Sequence, residues 1–249
     1  MNNLSINITE GCNKGCLFCN IKKPLISDKI ENILMKLLQV VDIDKISLKG
    51  HSPVEWTHDS STIYDLLYMI HMILKREKNN KCLVSLSNIS LDYPDIENIM
   101  PFINSDKVHI GLHHTDNQIL KNYNVKHTFE DFLKFYIICK NYNKQIYCDV
   151  IVGLPGETEK QFSDMVNILS DLDNIILFPF VYNEISSVRP LYINSKDNNF
   201  NHAGEIPNDP IILPKDLEII SEDIKNKRYQ KIIKKCKVNL DYINIVPSL

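Results

Sequence analysis

The chain has 249 residues with near-balanced charge, 28 Lys and Arg against 31 Asp and Glu for a formal net charge of -3, together with 44% hydrophobic residues and seven cysteines. That apolar content is enough for one large or two small domains with a buried core. The charge balance excludes a global field that would gather nucleic acid or an acidic membrane, so any such binding must come from a local patch. Usage is skewed, with three arginines and Ala203 as the single alanine; because asparagine is spread along the chain, this reads as base-composition bias and carries no functional weight. The first ten residues show no basic n-region and no apolar run, so no secretory signal is expected. The most apolar helical stretch, 63–74, is broken by Asp65 and His71 and reads as a packed helix, not a membrane span. An odd cysteine count in this setting points to a cytoplasmic protein whose cysteines are thiols or ligands, not a disulfide framework.

Short β-branched runs alternate with helical periods along the chain. Strands are expected at 4–8, 45–49, 83–87, 108–112, 146–152 and 175–180. Between them, Ile30, Ile33, Leu34, Leu37 and Leu38 recur at helical spacing, as do Phe129, Phe132, Leu133, Tyr136 and Ile137. Asp28 with Glu31, Thr62 with Asp65, Thr128 with Asp131 and Thr158 with Gln161 each put a capping oxygen and a third-position polar partner at a helix start, the last as a full capping box. Six βα units imply a parallel sheet with right-handed crossovers. They are too few to close an eight-stranded barrel, and no dinucleotide glycine fingerprint follows the first strand. The expected fold is therefore α/β, an open partial (β/α)6 barrel. Residues 183–214 are polar and proline-rich, with Pro190, Pro207, Pro210 and Pro214, and read as a loop or lid. A basic helix at about 215–237 follows, carrying Lys225, Lys227, Arg228, Lys231, Lys234, Lys235 and Lys237. The expected division is a core at 1–182, the loop at 183–214, and a helical segment at 215–249 packed on the core.

The chemically loudest feature is Cys12-Asn13-Lys14-Gly15-Cys16-Leu17-Phe18-Cys19, directly after the first strand. Three thiolates within eight residues, in a loop that Gly11 and Gly15 let turn inward, can converge on one centre. Three soft ligands suit zinc or an iron–sulfur cluster. A structural zinc would want a fourth ligand nearby, and Cys82 is far along the chain. Three cysteines without a fourth point to a cubane cluster with one open iron.

The segment from Ile8 to Cys19 resembles the signature of the radical S-adenosylmethionine (radical SAM) superfamily, in which the fourth iron of a [4Fe-4S] cluster binds the amino and carboxylate groups of SAM. The resemblance gives Cys12, Cys16 and Cys19 as metal ligands, and Phe18 as the aromatic whose neighbourhood contacts the adenine. The stretch Tyr147-Cys148-Asp149-Val150-Ile151-Val152-Gly153-Leu154-Pro155-Gly156-Glu157-Thr158-Glu159, followed by Phe162, is similar to the fifth-strand motif of the methylthiotransferase branch. Read physically, a buried strand ends in a Gly-Pro-Gly turn that brings backbone up to a flat ligand, and Thr158 caps the next helix. His109 to Asp116, Ile119-Leu120-Lys121 and Lys126-His127-Thr128 resemble the same branch around its fourth strand. The resemblance runs over about 4–182, with a weaker echo at 222–233.

Departures accompany it. Where such families often carry Gly-Gly-Glu-Pro after the second strand, with the acid helping to hold the SAM amino group, this chain has Gly50-His51-Ser52-Pro53. Ser52 offers one hydrogen bond and no charge. Where the methylthiotransferase pattern is Gln-Ser-Gly-Ser, the chain has His113-His114-Thr115. The methylthiotransferases also carry an N-terminal domain with three further cysteines and a C-terminal RNA-binding barrel, both expected to be absent here, which puts sulfur insertion in doubt. Cys82, Cys139, Cys148 and Cys236 are too scattered for a second cluster and are expected to be packing thiols. Adjacent residues on a strand point to opposite faces, so at most one of His113 and His114 looks inward. His113 is the candidate acid, base or SAM contact.

The expectation is a radical SAM enzyme of transferase-like type, in which a flavodoxin- or ferredoxin-type donor reduces the cluster, SAM is cleaved to a 5′-deoxyadenosyl radical, and a substrate hydrogen is abstracted. Gly50, Ser52, Asp149 and Gly153 are the expected SAM-side residues besides Phe18. A substrate of macromolecular type (RNA, protein or peptide) is expected from the resemblance, with no membrane partner, and the basic final helix is the local candidate for such a partner, although a lysine run also makes a solvated face. Two alternatives remain: a SAM- and iron–sulfur-binding module without catalysis, and a zinc-bound nucleic-acid interaction protein.

Overall fold

The computed structural model describes residues 2–19, 21, 23–40, 42–77, 79, 81–182 and 220–239. Its contacts divide the chain into two units, the first formed by Met1–Asn13, Lys23–Gly111 and Asp131–Ile146, the second by Lys14–Lys22, Leu112–Glu130 and Tyr147–Leu249. The loop expected at 183–214 lies outside the described residues.

In the first unit, β1 (Asn3–Asn7), β2 (Lys45–Lys49) and β3 (Leu83–Leu86) form a sheet in the order β1-β2-β3. All pairs are parallel, with Ile6 opposite Leu48 and Ile46 opposite Val84. β2 alternates, with Ile46 and Leu48 sealed from solvent on one face and Lys45, Ser47 and Lys49 half-buried on the other. The covering helices are amphipathic as the periodicity requires: α1 (Ile30–Leu38) buries Ile33 and Leu37, and α2 (Ile63–Arg76) buries Leu66, Leu67, Ile70 and Leu74. Each such side chain contributes about 1.5–3 kcal/mol of burial, so truncating Leu48 would damage the sheet more than any surface change. Thr62 and Asp65 close a reciprocal capping box at the start of α2. At α1 the expected cap shifts by one residue: Lys29 is the N-cap, and the Asp28 carboxylate instead accepts from the Lys29 N–H at 2.9 Å and the Asn32 amide at 2.8 Å. Asp28 is also tied by its carbonyl, which accepts the Trp56 indole N–H at 2.8 Å; holding that buried ring displaces the helix start. The short helix α3 (Ile96–Ile99) completes this part of the chain.

Strand β4 (Lys107–His113) is followed by α4 (Asn117–Asn122), α5 (Phe129–Asn141), β5 (Gln145–Val152), α6 (Glu159–Ser170) and β6 (Ile175–Val181), and the second sheet has the order β6-β5-β4. β5 ends in the continuous buried run Val150, Ile151 and Val152, the pattern of a strand covered on both faces. Thr158 and Gln161 form the expected capping box of α6, worth about 1 kcal/mol. Helix α4 has a cap that the sequence reading did not assign: Asp116 Oδ1 accepts from the N–H groups of Gln118 at 2.8 Å and Ile119 at 3.0 Å.

Helix α7 (Glu222–Lys235) divides its cations between two faces, with Lys227, Lys234 and Lys235 exposed and two others turned inward. Lys225 and Arg228 are only 2% and 5% exposed. Lys231 donates to Ser163 Oγ at 2.8 Å, and Lys235 lies 3.5 Å from Asn167 Oδ1 on α6. Lys225 pairs with Glu222 on its own helix at 2.8 Å, whereas the groups that Arg228, Lys231 and Lys235 meet are on the β5–α6 turn and α6, far away in sequence, so helical charge counting alone could not reveal that part of the charge is used internally.

Candidate functional site

Of the motif cysteines, Cys12 belongs to the first unit and Cys16 and Cys19 to the second. In the first unit the segment around Cys12 hangs from β1 by neutral bonds. Gly11 N–H donates to His51 Nδ1 at 3.0 Å, Cys12 N–H to the Lys23 carbonyl at 3.0 Å, and Leu25 N–H to Asn13 Oδ1 at 3.0 Å. An imidazole that accepts at Nδ1 must carry its proton at Nε2 when neutral. Burial holds His51 below the usual histidine range, against the pull of Glu10 and with the help of Lys23. At Gly50 a Cβ would sit 2.0 Å from Thr9 Oγ1, so this position admits only glycine. Ser52 is 1% exposed, with its hydroxyl 3.3 Å from Ser90 Oγ. At the position where the resembling families carry an acid, this chain thus has an inward-turned hydroxyl.

In the second unit Phe18, Ile119, Tyr123, Ile151, Leu154 and Tyr182 form one apolar cluster, and Cys16, Leu17 and Cys19 pack against it. Leu17 N–H donates to the Tyr123 carbonyl at 3.0 Å, and Asn124 Nδ2 donates to the Gly15 carbonyl at 2.9 Å. Ile21 N–H points at Cys19 Sγ at 3.5 Å. Tyr123 also donates its hydroxyl to the Pro155 carbonyl at 2.9 Å. Burial, with Tyr182 and Glu157 adding to it, pushes that phenol well above its ordinary range and keeps it a donor. Tyr123 therefore joins the cysteine segment to the turn after β5, a role that no local sequence signal could reveal.

His113 is half-buried at the end of β4 with φ of +69°, and its ring meets Phe18 edge-on at 4.7 Å. His114 faces elsewhere and is fully buried. Its Nδ1 accepts from Asp116 N–H at 2.9 Å, which fixes the proton on Nε2, and that atom donates to Glu157 Oε1 at 3.0 Å. Glu157, quoted in the motif but assigned no role from sequence, also accepts from Gly153 N–H at 3.0 Å and Arg228 Nη1 at 2.7 Å. Asp116 receives Gln161 Nε2 at 3.1 Å. Burial alone would raise the Asp116 carboxyl, but the Ile119 N–H, the Gln161 amide and the Gln118 N–H hold it below its ordinary value. Gly153 has φ of +80°, and a Cβ there would lie 2.5 Å from Lys225 Cγ. Asp149 is half-buried on β5, between the buried Cys148 and Val150.

The structure thus groups Cys16, Phe18, Cys19 and His113 in the second unit, with Gly153 directly before the cluster residue Leu154, and it carries Cys12, Gly50 and Ser52 in the first. Among the described residues no three His, Cys, Asp or Glu side chains are gathered at metal-holding distance. The donor set nevertheless has the chemistry for an iron–sulfur cluster: three half-buried thiols, one with a backbone N–H at its sulfur, two on an apolar bed that excludes water. Of the other four, Cys82, Cys139 and Cys148 are buried and Cys236 is half-buried. Burial raises the thiols of Cys82, Cys148 and Cys236, and that of Cys139 to about 12, which keeps them protonated and unreactive.

Comparison with known proteins gives the class. The family model described as Radical SAM superfamily matches residues 6–169, and the chain belongs to that superfamily, whose enzymes use a [4Fe-4S] cluster and SAM. Within it the similarity is to methylthiotransferases. The chain is 28% identical over 193 residues to a tRNA-2-methylthio-N(6)-dimethylallyladenosine synthase of Anaplasma phagocytophilum (strain HZ), covering 71% of this chain and 42% of that protein. It is 25% identical over 246 residues to the ribosomal protein uS12 methylthiotransferase RimO of Protochlamydia amoebophila (strain UWE25), covering 92% of this chain and 46% of that one. The chain therefore spans less than half the length of these curated relatives. Among solved structures it resembles the radical SAM methyltransferase TsrM from Kitasatospora setae with cobalamin and a [4Fe-4S] cluster bound, at TM-score 0.62 and 16% identity over 72% of this chain and 36% of that one. The coproporphyrinogen III oxidase HemN from Escherichia coli, a radical SAM enzyme, also matches at TM-score 0.62, with 15% identity over 94% of this chain and 52% of that one. The fold class is thus the expected one, α/β of the radical SAM type. Among the described residues no helix is long and apolar enough to cross a membrane.

Proposed function

We propose that this chain reductively cleaves SAM at a [4Fe-4S] cluster held by Cys12, Cys16 and Cys19 and uses the resulting radical to modify a substrate. The observation that carries this reading is the x3–x2 cysteine spacing on the loop after β1, in a chain of this superfamily, with Cys16 and Cys19 seated on the Phe18 cluster. When bound and reduced by a flavodoxin- or ferredoxin-type donor, the cluster with SAM supplies a 5′-deoxyadenosyl radical for hydrogen abstraction. The chain's own share is to bind, orient and keep water out. Phe18 and its apolar neighbours dry the cysteine segment, Gly50 and Gly153 are the backbone positions on the SAM side, packed by Thr9 and Lys225 respectively where a Cβ would sit, Asp149 and Ser52 offer polar contacts, and His113, edge-on to Phe18, is the candidate acid or base. The substrate belongs to the macromolecules on which the named relatives act, a tRNA or a ribosomal protein. Lys225 and Arg228 of α7 are turned inward, which leaves Lys227, Lys234 and Lys235 as the exposed cations through which that helix would meet such a partner. By its resemblance to soluble enzymes of this class, the protein would work in the cytoplasm.

The test is anaerobic reconstitution with iron and sulfide, then reduction with dithionite in the presence of SAM. Four irons per chain and chromatographic detection of 5′-deoxyadenosine are expected, and a protein that takes up no iron would refute the reading. A second reading rests on Ser52, which turns toward Ser90 where the resembling families carry an acid: a cluster that binds SAM without forming 5′-deoxyadenosine would identify a binding module.

A further inference from the structure

The turn at 153–157 is fixed more firmly than a connection between a strand and a helix requires. Glu157 has a fully buried carboxylate that receives three donors from three different places: His114 Nε2 at the end of β4, Gly153 N–H at the start of the turn, and Arg228 Nη1 from α7. Arg228 extends the clamp, since its Nε donates to Glu159 Oε2 at 3.1 Å and its guanidinium lies over the Phe162 ring at 5.2 Å. A buried carboxylate costs several kcal/mol unless every oxygen is paired, and a merely structural turn is made more cheaply by apolar packing. The same turn is tied at Pro155 to Tyr123, whose carbonyl holds Leu17 between Cys16 and Cys19. Glu157 lies within the 6–169 span matched by the family model and Arg228 beyond it, so the pair joins the matched region to the helix that follows.

We propose that Glu157 and Arg228 are positioning residues for SAM: the ion pair holds the Gly153 backbone at the place where it meets the ligand, and so sets SAM affinity and not the chemistry of cleavage. This deepens the proposed function and rests on its assignment of Gly153 to the SAM side. Neither residue touches the ligand in this account. Both act through the Gly153 N–H, whose left-handed conformation leaves it no strong preference of its own.

The experiment uses the full-length reconstituted protein and reads iron content, SAM affinity by equilibrium dialysis, and 5′-deoxyadenosine formation at saturating SAM. Because the turn loses its anchor and must be re-ordered when SAM binds, Arg228→Met should keep its iron but bind SAM about tenfold more weakly, with the saturated cleavage rate unchanged. Arg228→Lys, which returns a charge without the fork, should recover most of the affinity. Amide exchange at Gly153 should quicken in Arg228→Met whether or not iron is loaded. If Arg228→Met fails to fold, Glu157→Gln preserves the shape and carries the same expectation. SAM affinity within twofold of the wild type in a folded, iron-replete variant would overturn the proposal, as would a loss of saturated rate with affinity intact. A wild-type protein that holds iron yet binds no SAM would instead sink the functional reading, and the wild-type arm alone reveals that case.

Discussion

Around Cys12 the backbone is tied by neutral bonds to a carbonyl, an asparagine and an imidazole, close to solvent, whereas around Gly153 it is tied to a buried carboxylate that is itself held by an arginine and a histidine. Neutral bonds of the first kind are each worth about 1 kcal/mol net and can open locally. Breaking a buried charge pair of the second kind costs about 3–5 kcal/mol, because the partner is left uncompensated. The difference suits the two tasks. Under the proposed function, the segment that would take up iron has to yield during assembly, and the turn that would present backbone to SAM has to stay put.

Several substitutions would break or sharpen this contrast. The largest effect belongs to Cys16→Ala, which should abolish cluster assembly by iron and sulfide analysis while the urea midpoint stays near that of the wild type; retention of full iron content would count decisively against the ligand assignment. Glu157→Ala should lower stability by about 3–5 kcal/mol in urea titration, by depriving His114 Nε2 and the Gly153 N–H of their acceptor and Arg228 of its buried counter-charge, and a loss under 1 kcal/mol would mean that water replaces the carboxylate. Gly153→Ala combines a left-handed φ, costing about 1–2 kcal/mol, with the Lys225 Cγ contact at 2.5 Å. Adding Lys225→Ala should recover part of that loss, and strict additivity of the two changes would show that the contact carries no strain. On the softer side, His51→Phe should remove about 1 kcal/mol of local stability and speed chelator-driven iron release about fivefold, while His51→Asn, which keeps an acceptor for Gly11, should not. Smallest is Asp116. Its folded pKa lies below the ordinary 3.8, so its contribution is complete above pH 3.8 and fades as pH falls through the lower folded value. The melting-temperature gap between the wild type and Asp116→Asn should therefore close in acid, and a gap constant with pH would refute that linkage.

Much of the fold was legible because its signals are local. Strand 45–49 falls as expected, and Thr158 with Gln161 closes its box, since side-chain period and capping depend on neighbours three or four residues away. Asp28 misled by one position because the Trp56 indole, 28 residues on, pulls on its carbonyl. The basic helix misled further: Arg228 looks like a solvated charge until Glu157 and Glu159 arrive from the β5–α6 turn and α6.

What the sequence by itself determined was the class, because three cysteines at x3–x2 spacing, six βα periods and the Gly-Leu-Pro-Gly turn are carried within short windows. What only the tertiary structure decided was the support of that chemistry: Tyr123 bridging Leu17 and Pro155, and Glu157 joined to Arg228 across 71 residues. Such pairs form when distant segments pack together, and the energy that selects them, the need to compensate a buried charge, exists only once the core has excluded water.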